Sequence, residues 1–416
     1  MTLDLSGGPR SGAVRAPASK SAAHRLFVCA ALGTRPCEIV CGELSADLRA
    51  TLGCLAALGA AVSFSLGHVR IEPIRSVPEG ELFLPCGESG STLRFLLPLL
   101  GALGARAVLE RRGRLPERPI APLTDELRRH GMTISEDGAL LRCAGQLRGG
   151  DWVLPGDVSS QFVSALLMAL PLLGGDSRLT VTGTVESAPY IALTERVLSA
   201  AAIGFAREGA VYTLPGGQRS ALPRSVTVEG DWTAAAVFLA MGALSPEGVA
   251  VDGLSLSSAQ GDRAILDLLR GFGAEVETGE ALVRVRKNEL RGLRFDASQT
   301  PDLVPAVAAL GALASGETRI ERAARTRLKE SDRLRTTAGM LAALGADVQE
   351  TSDALVIRGK PSLNGGETDG FADHRVAMAA AVAACGCTGG VRLRGAECVE
   401  KSYPRFWDDL GALGGL

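Results

Sequence analysis

The chain has 416 residues, with 44 Lys+Arg against 46 Asp+Glu, 46% hydrophobic and 22% charged residues; that length suits two or three domains with ample core-forming side chains. The apolar fraction excludes a disordered chain, and a formal charge of −2 lacks the basic excess of a nucleic-acid binder. Met1 to Lys20 is small, polar and Gly/Pro-rich, unlike a secretory signal, and apolar runs such as Phe95–Ala105 and Val376–Cys385 fall short of the roughly 18–20 residues that span a bilayer, so a soluble, cytoplasmic protein without a membrane partner is expected.

Along the chain one phrase recurs: an apolar helical run, a glycine, an alternating strand, a turn and a second strand. It reads Leu55-Ala-Ala-Leu-Gly59 with His68–Ile71, then Leu127-Arg-Arg-His-Gly131 with Ala139–Arg142. The third copy is Leu198 to Gly204 with Ala210–Thr213, the fourth Leu269-Arg-Gly-Phe-Gly273 with Ala281–Val285, and the fifth Leu341-Ala-Ala-Leu-Gly345 with Ala354–Ile357. The glycines are 72, 73, 69 and 72 residues apart. Each glycine is expected to end a helix in the left-handed conformation, with a hairpin following. A sixth phrase, Leu410-Gly-Ala-Leu-Gly414, has no hairpin after it, so its strands must come from elsewhere. The strand-like pieces of Leu3–Pro17 are the natural donor. Six αβ units grouped three and three predict one domain of residues 1–17 plus 230–416 and another of 18–229, with the active site in the cleft between them.

Polar clusters follow in chain order. Ser19-Lys20-Ser21 opens a helix whose next turn carries Arg25, and Ser89-Gly90-Ser91-Thr92-Leu93-Arg94 leads into Phe95-Leu-Leu-Pro-Leu-Leu. Ser159-Ser160-Gln161 precedes a third apolar helix. Hydroxyls and small residues at helix starts offer free N–H groups to an anion, and three such starts imply a ligand with several anionic groups. In Arg327-Leu-Lys329-Glu330-Ser331-Asp332-Arg333, Lys329 and Arg333 are expected on one helix face, where like charges at i,i+4 make sense if an anion sits between them. Asp373-His374-Arg375 stands at the head of a small-residue helix, where burying three polar groups needs a reason.

Only five of the 44 basic residues are lysine: Lys20, Lys287, Lys329, Lys360 and Lys401. Three of them lie in these clusters, and lysine, unlike arginine, can also transfer a proton. With Arg25, Arg118, Arg333 and Arg375 they predict a site for a substrate carrying phosphate and carboxylate. The nine cysteines are scattered with no CxxC pair and read as small buried thiols. No dinucleotide loop or metal-ligand grouping accompanies the clusters, so acid–base and electrostatic chemistry without a cofactor is expected.

In order and spacing these clusters, together with Glu117-Arg118-Pro119, Pro189-Tyr190, Glu229-Gly230-Asp231, Gln260-Gly261-Asp262, Pro301-Asp302 and Lys401-Ser402-Tyr403-Pro404, resemble the 5-enolpyruvylshikimate-3-phosphate synthase family. The resemblance implies an α/β fold of two inside-out barrels, each built from three βαβαββ repeats. It implies transfer of the enolpyruvyl group of phosphoenolpyruvate to the 5-hydroxyl of shikimate 3-phosphate, by addition–elimination and with release of phosphate, in a protein expected to be a monomer. By the same resemblance Asp302 accepts the proton of the 5-hydroxyl, and Glu330 and Lys20 move protons at the methylene and the departing phosphate. Lys20, Ser21, Arg25, Ser159, Ser160, Gln161, Ser187, Asp302 and Lys329 match residues that hold shikimate 3-phosphate. Lys20, Gly90, Arg118, Gln161, Arg333, Arg375 and Lys401 match those that hold phosphoenolpyruvate. Two positions depart from the pattern. Glu88 stands where many members have Asn, and is expected to point away from a bound phosphate or to pair with a base such as Arg94; Arg325 stands where some have Asn. The sister family acting on UDP-N-acetylglucosamine is the alternative, but its loop cysteine is missing from Glu110–Glu117, and Ser21 follows Lys20 where that family has Asn.

Overall fold

The computed structural model describes residues Met1–Leu416. Two compact units make up the chain, one of Met1–Pro17 with Glu229–Leu416 and one of Ala18–Val228, and each encloses its own hydrophobic core. No helix is long and apolar enough to cross a membrane.

Six sheets share one plan. In the Ala18–Val228 unit, strand Glu81–Gly87, helix Gly90–Leu103, strand Arg106–Arg111, helix Ala121–Arg129 and hairpin Met132–Asp137/Leu140–Gly145 form one complete βαβαββ repeat. Its first two strands pair in parallel across the crossover helix, and the hairpin adds antiparallel. Five sheets have four strands in this order and the sixth has three. Near the chain crossings between units the leading strands are exchanged. Gly12–Arg15 precedes helix Lys20–Ala31 in sequence but pairs in parallel with Val249–Asp252. Ser225–Thr227 precedes helix Trp232–Ala243 but pairs in parallel with Glu38–Val40. The three-stranded sheet belongs to the repeat that ends in helix Phe406–Ala412, where Thr2–Leu5 pairs antiparallel with Val391–Arg394 in place of a hairpin.

Each repeat contributes one helix buried on all sides and one that is half-exposed. Trp232–Ala243, Val304–Gly311 and His374–Ala384 are buried along their whole length. Their sequences, WTAAAVFLAMGA, VPAVAALG and HRVAMAAAVAA, are apolar on every face, which a helix tolerates only inside a core. Alanine and glycine let such helices approach closely, and their polar residues sit in or just before the first turn. That restriction decides where chemistry can occur: at the N-terminal ends.

The recurrent glycines close helices as the sequence predicts, with φ of +104° at Gly59, +113° at Gly131, +97° at Gly273 and +94° at Gly345. The third copy differs, because there the left-handed residue is Ala202, at φ +56°, and not Gly204. Eight of the nine thiols are buried, Cys398 is half-buried, and all are free.

Candidate active site

In the Ala18–Val228 unit three buried helices begin at serine caps. Ser19 Oγ accepts from the Ala22 N–H, Ser89 Oγ from Thr92 and Ser159 Oγ from Gln161. Side chains tie these three starts together. Lys20 Nζ pairs with Asp47 at 2.8 Å. A buried chain of hydroxyls runs from His24 Nδ1 to Thr51 (2.8 Å), Thr92 (2.6 Å) and Ser89 (2.7 Å), joining the first start to the second. Gln161 joins the third to the second, donating to Ser91 Oγ at 2.9 Å while its Oε1 accepts from Arg94 at 2.6 Å. Burial, opposed by Asp47 and aided by Lys20 and Arg25, brings the His24 pKa down to about 3, so the imidazole is neutral within the network.

Arg25 lies inside this unit rather than at its surface, 2% exposed. It donates to Thr194 Oγ1 (2.6 Å), the Ser21 carbonyl (2.7 Å), Ser164 Oγ (3.2 Å) and the Tyr190 carbonyl (3.0 Å). Burial lowers its pKa to about 10, so the guanidinium remains charged at neutral pH. Arg118, also buried, lies against the start of the Gly90–Leu103 helix: a β-carbon on Gly90 would meet its Nη1 at 2.9 Å. Glycine at that position is what lets the guanidinium approach the helix start this closely. The exposed Glu88 has its carboxyl against Gly113, where an added β-carbon would meet it at 2.7 Å. Ser187 is a buried non-glycine residue in the left-handed region, φ +55°, at the head of helix Ala188–Ala200. That conformation is costly for a side-chain-bearing residue and is found at functional positions.

In the other unit the centre is Arg333. Its Nη1 donates to Asp302 Oδ1 at 2.7 Å, its Nη2 to Glu330 Oε2 at 2.7 Å, and its Nε to Asp373 Oδ2 at 2.8 Å. Lys329 Nζ lies 3.3 Å from the same Asp302 oxygen. Burial alone would raise the Asp302 pKa, but Lys329, Arg333 and Arg375 hold its carboxyl well below the usual carboxylate range. Nearby Asp262 is pushed up to about 6, chiefly by burial and then by the negative charge of Asp302, and it accepts from Thr233. Asp373 caps helix His374–Ala384, and the buried side chain of Arg375 leaves its Nε with no hydrogen-bond partner. Lys401, 8% exposed, ends the short helix Ala396–Lys401.

The i,i+4 arrangement expected of Lys329 and Arg333 does not form. Lys329 and Arg333 do not share a helix face, since the helix starts at Arg333 and Lys329 is extended, at φ −90° and ψ −157°. The helix begins late because Asp332 is its cap, accepting from the Arg335 N–H, and pairs with Arg327. The two cations converge all the same, on Asp302 and not through i,i+4 spacing. Two kinds of participant lay outside the sequence reading. Asp47 stands in the first turn of a serine-capped helix, the ordinary place for an acidic residue, so nothing marked it as the partner of Lys20. Ser164 and Thr194 are isolated hydroxyls within helices, with no local signal that they line Arg25.

The EPSP synthase (3-phosphoshikimate 1-carboxyvinyltransferase) family matches residues 6–410. The chain is 40% identical to the 3-phosphoshikimate 1-carboxyvinyltransferase of Clostridium kluyveri, over 97% of its own length and 95% of the relative's. To that of Clostridium acetobutylicum it is 37% identical, again over 97% and 95%. In fold it is similar to the EPSP synthase of Acinetobacter baumannii, with a TM-score of 0.82 at 24% identity over 99% and 98% of the two chains. The architecture is the two-domain enolpyruvyl transferase fold, and the chain belongs to the EPSP synthase family.

Proposed function

We propose that this protein transfers the enolpyruvyl group of phosphoenolpyruvate to the 5-hydroxyl of shikimate 3-phosphate. The observation that carries the reading is the Asp302 cluster, a carboxylate ringed by the cations that a phosphate and a carboxylate would claim. Lys20, Ser21, Arg25, Ser159, Ser160, Gln161, Ser187 and Lys329 bind shikimate 3-phosphate, and Gly90, Arg118, Arg333, Arg375 and Lys401 bind phosphoenolpyruvate, with Lys20 and Gln161 serving both. Forked guanidinium groups suit planar carboxylates, and the bare N–H groups at Gly90 suit a phosphate.

With its pKa depressed, Asp302 is a poor base in the free protein. Each anion that binds Lys329, Arg333 or Arg375 screens the charge holding that proton affinity down, so basicity returns as the substrates arrive. Asp302 then takes the 5-hydroxyl proton while the oxygen bonds to C2 of phosphoenolpyruvate and the methylene carbon gains a proton. Breaking the C2–O bond to phosphate, with loss of a proton from the neighbouring methyl group that the first step formed, restores the double bond and completes the exchange. Arg333, on turning to the incoming carboxylate, releases Glu330 for work at the methylene, and Lys20 meets the departing phosphate.

Phosphate release from phosphoenolpyruvate tests this, with shikimate 3-phosphate or UDP-N-acetylglucosamine as acceptor. Release with shikimate 3-phosphate alone is expected. Release with the nucleotide sugar alone would change the acceptor, and release with neither would reduce the site to a binding pocket.

A further inference from the structure

Two of the five lysines have no part in the chemistry above, and the fold brings both to one cavity of about 700 Å³ in the Met1–Pro17/Glu229–Leu416 unit. Its wall includes Leu244, Leu313 and Cys385, residues at or just beyond the C-terminal ends of the three buried helices Trp232–Ala243, Val304–Gly311 and His374–Ala384. At the opposite, N-terminal ends Arg333 bridges Asp302 and Asp373, and Thr233 of helix Trp232–Ala243 donates to Asp262, which feels the charge of Asp302. The helices therefore run in parallel, with their N-termini at the candidate active site and their C-termini at this cavity.

Three ligand-relevant features coincide there. Parallel helix ends concentrate negative partial charge, and the carbonyls of Leu244, Leu313 and Cys385 accept no hydrogen bond within the protein. Lys287 offers an ammonium with no partner, while that of Lys360 donates to the Gly345 carbonyl at 2.7 Å and keeps further N–H groups to give. The side chains of Leu244, Leu290 and Leu313 supply an apolar wall. A simple anion would meet the lysines but face the helix ends, and a simple cation the reverse. A zwitterion with an apolar body satisfies all three.

We propose that this cavity binds a free α-amino acid with a large apolar side chain, its carboxylate on Lys287 and Lys360, its ammonium on the helix-end carbonyls and its side chain against the leucines. The volume falls within the roughly 300–1,000 Å³ of small-molecule sites. The inference is independent of the activity proposed above, since no lining residue belongs to that site.

Titration calorimetry of the full chain with L-tryptophan tests it. Saturable one-to-one binding is expected, weakened about tenfold by Lys287→Met, which removes one charged hydrogen bond, and weakened also by Leu313→Trp, which projects an indole from the apolar wall into the space the ligand side chain would take. N-acetyl-L-tryptophan, lacking the ammonium, and L-tryptophanamide, lacking the carboxylate, are each expected to bind about tenfold more weakly for the same reason. Absence of saturable binding to the unaltered protein would overturn the proposal. So would equal binding of the acetylated compound, or affinity unchanged by Lys287→Met, a substitution at an exposed position that does not threaten folding. Phosphate release, measured in parallel, reports on the other site and is expected to persist in Lys287→Met.

Discussion

Arg333 holds three carboxylates with one guanidinium at 1% exposure, an arrangement stable only because each charge finds a partner. Asp302→Asn is expected to lower turnover by roughly 10²–10⁴-fold through loss of the base, while shikimate 3-phosphate still binds calorimetrically. Full turnover in that variant would remove Asp302 from the mechanism. Two buried groups set opposing pH dependences. His24, held near 3 when folded, takes up protons on unfolding between that value and its ordinary 6.5. Its contribution to stability is therefore complete above about pH 6.5 and is lost as pH falls toward 3, at up to about 1.4 kcal/mol per pH unit. Asp262, raised from 3.8 to about 6, contributes stability that is complete below 3.8 and lost as pH rises through about 6. Urea unfolding at several pH values is expected to show a shallower acid loss in His24→Gln and a steeper one in Asp262→Asn. Identical profiles in the wild type and both variants would contradict the assignments.

At the scale of the element, the helix N-terminus is the working part. The polar residues of the buried helices are gathered in their N-terminal halves, and the caps Ser19, Ser89, Ser159, Asp231 and Asp373 lie where the backbone offers N–H groups. Gly90→Ala places a β-carbon against the Arg118 guanidinium. A several-fold higher KM for phosphoenolpyruvate is expected, with affinity for shikimate 3-phosphate unchanged; an unchanged KM would show that Arg118 can move aside without loss. Helix ends were largely legible in sequence because capping is a local interaction. The third repeat, closed at Ala202 rather than Gly204, and the extended Lys329 were not. At Lys329 a second local signal, the Asp332 cap, starts the helix later, whereas around Ala202 bonds from Gln218 and Ala221 hold a turn against a propensity worth about 1 kcal/mol.

Across the whole molecule, the N-terminal strands are structural parts of a unit most of which lies more than two hundred residues later. Leu5, 1% exposed, belongs to that unit's core alongside Trp232 and Trp407, whereas Trp152 belongs to the other core. Leu5→Ala is expected to cost about 2–5 kcal/mol. In a Trp152→Phe background, where fluorescence comes from Trp232 and Trp407, its urea midpoint should fall. A midpoint left in place would mean that Thr2–Leu5 adds little to the unit it completes.

What the sequence determined by itself was whatever depends on near neighbours: the glycine-ended repeat, the capped helix starts, and the residue types of a site for phosphates and carboxylates. Tertiary structure alone decided which groups meet. The ion pair of Lys20 with Asp47, the four acceptors around Arg25, the convergence of Lys329 and Arg333 on Asp302, and the lysine-lined cavity at the helix C-termini all join residues that no local spacing relates. The physical reason is that caps and turns are chosen within a few residues along the chain, whereas a buried charge takes whichever partner the packing of helices and sheets delivers.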